Sequence, residues 1–174
     1  MNISVKEIAK FGMFGAIIYA QKAVLASLPN IHLSAVLIIA LTVVYRAKAL
    51  YPIYVYVLLE GLFGGFTTWW IPYLYVWTIL WGAVMLLPKD LPNRKYSAVI
   101  YMIVCSLHGF LFGALFAPAQ AIMFGLNFEG MIAWIIAGLS FDVIHGISNF
   151  CLGILIIPLI NLFRKLEKTV AVNL

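Results

Sequence analysis

The segment Leu87-Pro88-Lys89-Asp90-Leu91-Pro92-Asn93-Arg94-Lys95 decides how the fold is read. It breaks a chain of 174 residues that is 65% hydrophobic and only 10% charged. Three cations and two prolines in nine positions make it a polar loop between apolar runs. Cytoplasmic loops of membrane proteins collect Lys and Arg, so this loop is expected on the cytoplasmic side.

Outward from it the same signal recurs. Arg46/Lys48 lies upstream, Lys6/Lys10 near the start and Arg164/Lys165/Lys168 near the end. These four clusters hold 10 of the 11 Lys and Arg residues. Clusters at alternate gaps between apolar runs predict an all-α integral membrane protein, a single domain over 1–174. It has six transmembrane helices and both termini in the cytoplasm. A soluble domain of this size lacks the interior to bury so much apolar surface. The net charge of +5 is therefore assigned to topology and anionic lipid rather than to nucleic acid.

A crossing helix needs ~20 apolar residues. The spans predicted are Val5–Leu28, a short His32–Tyr45, Ala49–Phe63, Trp69–Leu87, Tyr96–Phe116 and Leu139–Phe163. Pro118 is taken to stop the fifth. Counting 119–163 as two spans would place Arg164, Lys165 and Lys168 outside, so 119–138 is expected to be a long outer loop between spans 5 and 6 that dips back onto the protein. The stretch 1–27 is too long for a cleavable signal and ends in no small-residue cleavage pattern, so it is read as the first span. Cys105 and Cys151 sit in apolar runs and are expected to be buried thiols.

Three constellations bear on function. Gly12, Ala16 and Ala20 stand four residues apart on span 1 and share one helix face. Such a stripe serves either packing within the domain or docking of a partner membrane protein. Trp70, Tyr73, Trp77 and Trp81 follow a helical period, with Trp69, Trp70 and Tyr73 at the outer mouth. An interfacial aromatic belt accounts for Trp69 or Trp70, and a stacking wall for a flat ligand accounts for the deeper Trp77 and Trp81. Asp142, His145 and Asn149 share one face of span 6. Ionisable groups within a span usually face the interior or a cavity. They either pair with each other, Asp142 with His145, or offer donors and acceptors to a ligand. His108 on span 5 is a weaker candidate, as are Glu60, Asn127 and Glu129. Lys22 is the single cation outside the clusters, and either snorkels outward or pairs with an acid. No P-loop, HExxH or GxSxG motif is present.

A small six-span chain with Ala16-Ile-Ile-Tyr-Ala20 on span 1, an aromatic outer mouth, polar groups on span 6 and no ATPase motif resembles the substrate-binding S component of energy-coupling factor (ECF) vitamin transporters. Leu28-Pro-Asn-Ile-His32, Tyr54-Val-Tyr-Val-Leu-Leu-Glu60 and Trp69-Trp-Ile-Pro-Tyr-Leu-Tyr-Val-Trp77 look like one subfamily of it. The likeness covers essentially the whole chain. It implies a catalytically silent, multi-pass protein of the cell membrane, with no cofactor and no metal. Such a subunit binds a vitamin or precursor on the outer side and docks through span 1 on a coupling membrane subunit carried by two ATPases. Carried over, Ala16 and Ala20, with Gly12 on the same face, would be the docking residues. The pocket would lie among spans 4 to 6, closed by the loops after spans 1, 3 and 5. That places Trp69, Trp70, Tyr73, Trp77, His108, Asp142, His145 and Asn149 near the ligand. Stacking aromatics with Asp and His suit a small, flat, uncharged or zwitterionic heterocycle, with pyridoxine-like compounds favoured. Two further readings stay open from the residues: a stand-alone proton-coupled carrier or channel using Asp142 and His145 as a relay, and an intramembrane enzyme using His108, His145 and Asp142.

Overall fold

A computed structural model describes residues 3–172, with side chains described through residue 168. Every regular element among the described residues is helical. The α-helices are α1 (Val5–Val24), α2 (Ser34–Tyr45), α3 (Leu50–Gly64), α4 (Tyr73–Leu86), α5 (Ser97–Phe110), α6 (Phe112–Phe124), α7 (Phe128–Leu152) and α8 (Ile156–Val172). Short 3-10 turns occupy Arg46–Ala49, Leu91–Asn93 and Gly153–Leu155. Three helical runs, Ser34–Gly64, Ser97–Phe124 and Phe128–Lys168, are long and apolar enough to cross a membrane.

Helix α1 starts where the sequence supplies a capping box. The Glu7 amide donates to Ser4 Oγ at 3.2 Å, and the Ser4 amide donates to Glu7 Oε2 at 3.1 Å. That exchange satisfies two donors that a helix start leaves free. Helix α2 is apolar all round, and every residue from Ser34 to Thr42 is buried. A helix without a polar face sits in a core or spans a membrane; here α1, α4, α5 and α8 pack around it.

Ion pairs tie the helix ends. At one end Lys22 on α1 meets Glu60 on α3 at 2.7 Å, and Gln21 Nε2 donates to Ser34 Oγ at 2.9 Å. At the other, Lys48 meets Glu7 at 2.6 Å, Lys10 meets Glu167 at 2.8 Å, and the Tyr45 hydroxyl donates to Glu167 at 2.9 Å. Helices α1, α2 and α3 therefore run alternately between these ends. The bend after α2 falls at Arg46, whose φ of 53° is unusual for a residue with a side chain. Helix α4 holds it there. Arg46 Nη2 donates to the Met85 carbonyl and Trp81 Nε1 donates to the Arg46 carbonyl, both at 3.0 Å.

The expected long outer loop over 119–138 is overturned. Helix α6 runs through Pro118 to Phe124, Gly125 closes it in the left-handed conformation (φ 63°), and α7 begins at Phe128. A proline inside a helix removes one amide donor. One residue beyond the carbonyl that this frees, that of Ala114, the Tyr75 hydroxyl donates to the Leu115 carbonyl at 2.6 Å and ties α4 to α6 beside the proline. With α5 and α6, α7 makes a long antiparallel hairpin. Ser106 Oγ donates to the Gly146 carbonyl at 2.9 Å, and Asn149 Nδ2 donates to the Cys105 carbonyl at 3.2 Å. The close approach needs Gly109, where a Cβ would lie 2.8 Å from the His145 carbonyl oxygen.

Two smaller expectations also change. Cys105 is buried as expected, but Cys151 lies exposed on α7. Asn127 and Glu129 do not belong to an outer loop. Asn127 caps α7, accepting from the Gly130 amide at 2.8 Å, and Glu129 falls in the first turn, where a carboxylate complements the helix dipole. In the polar loop quoted at the outset, Arg94 hydrogen-bonds Asp90 and holds its carboxyl below the usual range.

Candidate functional site

A cavity of about 240 Å³ opens where α1 gives way to the loop before α2. Its wall is built from Lys22, Leu25, Ala26, Leu28, Pro29, Asn30 and His32 on one side, and Tyr73, Phe112 and His145 on the other. Asn30 turns the loop over the cavity with φ 62°, a conformation Asn tolerates better than most residues. Ser148 on α7 pins it by donating to the Asn30 carbonyl at 2.8 Å.

Behind the cavity stands a stack of rings from four helices. Tyr73 and Trp77 meet edge-on at 5.7 Å, Trp77 lies 5.4 Å from His108, and Phe112 lies 4.9 Å from His145. His145 in turn meets His32 edge-on at 5.1 Å. Trp69 adds to the stack, its ring edge-on to Tyr73 at 5.5 Å. Lys22 reaches in with its charge already matched: Glu60 at 2.7 Å, the Tyr73 hydroxyl at 3.1 Å, and the Tyr73 ring face at 5.0 Å.

The imidazoles are the chemically open groups. His32 Nδ1 and His145 Nε2 are buried and have no hydrogen-bond partner in the protein. Most buried polar groups are paired, and these two exceptions belong to residues that line the same cavity. His108 is partly committed. Its Nε2 lies 3.2 Å from the Val76 carbonyl, which makes that nitrogen the donor and leaves Nδ1 unpartnered.

A second cavity of about 380 Å³ adjoins the first, sharing Asn30 and Phe112. Gly113, Phe116, Trp134, Ala137, Gly138, Phe141 and Asp142 complete it. Asp142 receives the Gly113 amide on both carboxylate oxygens, at 3.0 and 3.1 Å. The Asp142–His145 pair considered from the sequence does not form; the carboxylate turns to α6 instead. A larger hollow along α3, about 570 Å³, is lined by Leu50, Tyr51, Tyr54, Val55 and Leu58 and offers no carboxylate, imidazole or amine.

The eight residues singled out as ligand neighbours therefore separate. Tyr73 and His145 line the first cavity and Asp142 the second. Trp69, Trp77 and His108 support these walls through ring contacts. Trp70 lies elsewhere, with Nε1 donating to the Val57 carbonyl at 2.7 Å and its ring against Phe66. Asn149 bonds α5 and keeps Oδ1 unpartnered, lining neither cavity. Trp81, grouped with Trp77 as a deep wall, serves the Arg46 bend at the opposite end. Asn30, His32, Phe112, Phe116 and Trp134 were not singled out. His32 carried a signal, a histidine beside Pro29-Asn30 at a span boundary; the others carried none.

The stripe on α1 faces away from the bundle. Ala16 and Ala20 are exposed, and a Cβ at Gly12 would touch nothing within 4 Å. The packing side of α1 is formed by Phe11, Phe14, Gly15 and Ile18. Among the described residues no three His, Cys, Asp or Glu side chains converge as a metal-binding group. No family model matches the chain, and no curated protein or solved structure shows significant similarity to it.

Proposed function

We propose that this chain is the substrate-binding subunit of an ECF-type importer, lying in the cell membrane with six spans and both termini cytoplasmic. The spans are α1, α2, α3, α4, the bent pair α5–α6 and the bent pair α7–α8. The cation clusters then share one side, with the Glu7, Lys48, Lys10 and Glu167 network, and the cavity opens on the other.

The observation that carries the reading is the first cavity. It is a partly apolar recess with an aromatic wall and two buried imidazole nitrogens awaiting partners. Small-molecule sites are concave, mostly apolar and furnished with a few converging polar groups. The ligand favoured is a small, flat, vitamin-like heterocycle of pyridoxine size. Its ring packs against Tyr73 and Phe112, and its polar atoms bond His32 and His145. Delivery inward needs a coupling membrane subunit docked on the Gly12, Ala16 and Ala20 face, with two ATPases supplying the energy. That face is free of contacts within the chain, which suits a partner helix.

The stand-alone carrier reading gains nothing from Asp142, which bonds a backbone amide rather than His145. The discriminating experiment is solute uptake into vesicles holding this chain alone, with a pH gradient, and with the coupling subunit and ATPases plus ATP. Uptake only in the last case supports the importer subunit. Robust uptake by the chain alone rejects it.

A further inference from the structure

The second cavity pairs two features that together specify a ligand charge. Asp142 is 94% shielded, being 6% exposed, and among the described residues it has no cationic partner. Among the described residues its hydrogen bonds come from the Gly113 amide. Around it the wall is aromatic: Phe112, Phe116, Trp134 and Phe141. A carboxylate removed from water is costly unless a positive charge answers it. Nearby Lys22 is engaged by Glu60 and lines the other cavity.

We propose that the second cavity is a subsite for an organic cation, a protonated amine or quaternary ammonium group carried by the same solute. Aromatic faces attract such cations through the ring quadrupole, and one carboxylate neutralises the charge. A hard metal ion would need six or more oxygen ligands, which this wall of rings does not provide. Because Asn30 and Phe112 border both cavities, one molecule can place a flat, uncharged ring system beside His32 and His145 and its ammonium group beside Asp142. This rests on the reading of the first cavity as a solute site and adds the charge the solute must carry.

The test is calorimetric titration of the purified full chain in lipid nanodiscs with two probes of matched size, benzylamine (protonated at pH 7) and benzyl alcohol. Benzylamine is expected to bind about ten-fold more tightly or better. Asp142→Asn is expected to abolish that preference, and Leu58→Val, on the separate hollow along α3, to keep it. Equal affinities in the unaltered protein, no binding of benzylamine, or a preference that survives Asp142→Asn would overturn the subsite. Should Asp142→Asn fail to fold, Trp134→Leu leaves the carboxylate in place. It must weaken benzylamine more than benzyl alcohol, and an equal loss again overturns the proposal. These titrations involve no coupling subunit or ATP. Loss of charge preference therefore sinks this inference alone, while uptake by the chain without partners sinks the importer reading alone.

Discussion

Lys22 on α1 and Glu60 on α3 are 38 residues apart in sequence and 2.7 Å apart in space, between the first cavity and the surface. Glu60 is buried, Lys22 is a quarter exposed, and the Tyr73 hydroxyl completes the set at 3.1 Å. The pair cancels the cation at the cavity wall and, with Tyr73, joins three helices there. Glu60→Gln leaves the ammonium without its counter-charge. It is expected to destabilise the protein by about 1–3 kcal/mol, below the cost of breaking a fully buried pair because Lys22 keeps some water. The double change Lys22→Met with Glu60→Met is expected to recover most of the loss, as read by thermal unfolding in detergent. A double variant no better than Glu60→Gln would mean the site needs the charges themselves.

Glycines on the two sides of the molecule should respond oppositely. Gly109→Ala drives a methyl group against the α7 backbone at His145 and Gly146, and an overpacked interface of this kind costs about 1–3 kcal/mol. Gly12→Ala meets open space and should be neutral or slightly stabilising, since Ala favours helix by up to about 1 kcal/mol. Unfolding midpoints of the two variants check this directly. Equal destabilisation would place Gly12 in a packed interface after all.

Tyr75→Phe removes the hydroxyl that bonds the Leu115 carbonyl beside Pro118. The expected cost is about 0.5–1.5 kcal/mol, with faster amide exchange confined to α6. No change in exchange around 112–124 would show that this bond does not hold α6.

How much of this was legible in the sequence follows from which forces are local. Cation clusters and apolar runs placed α3 and α4 to within a few residues, because bilayer solvation acts on composition. The stretch 119–138 departs from the sequence reading for two reasons. Pro118 reads as a stop, yet α6 runs through it at the loss of one amide donor. The excess apolar length is read as a loop, whereas α6 carries the run that starts at Ser97 on to Phe124, 28 residues in all, and α7 takes up the rest from Phe128. That run measures roughly 42 Å at the ordinary helical rise. Trp70 was grouped with Tyr73 by extending a helical period past Pro72, where α4 begins; outside the helix the period has no meaning. The partners of Lys22 and Asp142, and the approach of His32 to His145, depend on tertiary packing and left no trace in spacing.

Ala16→Trp and Ala20→Trp test the outward face of α1. Both positions are exposed, so folding and solute binding should change little. Uptake driven by the coupling subunit and ATPases should fall by at least about ten-fold if close helix approach is required there. Retained uptake would move the docking surface elsewhere, and a parallel loss of binding would point to a packing role instead.

The most direct measurement is native mass spectrometry of the protein purified gently from membranes, with the small molecule released on denaturation then identified. The account expects one flat, vitamin-like heterocycle bound per chain, lost when His145→Trp fills the first cavity of a still-folded protein. A chain of unliganded mass, or a bound molecule unaffected by His145→Trp, would contradict the assignment of that cavity as the substrate site.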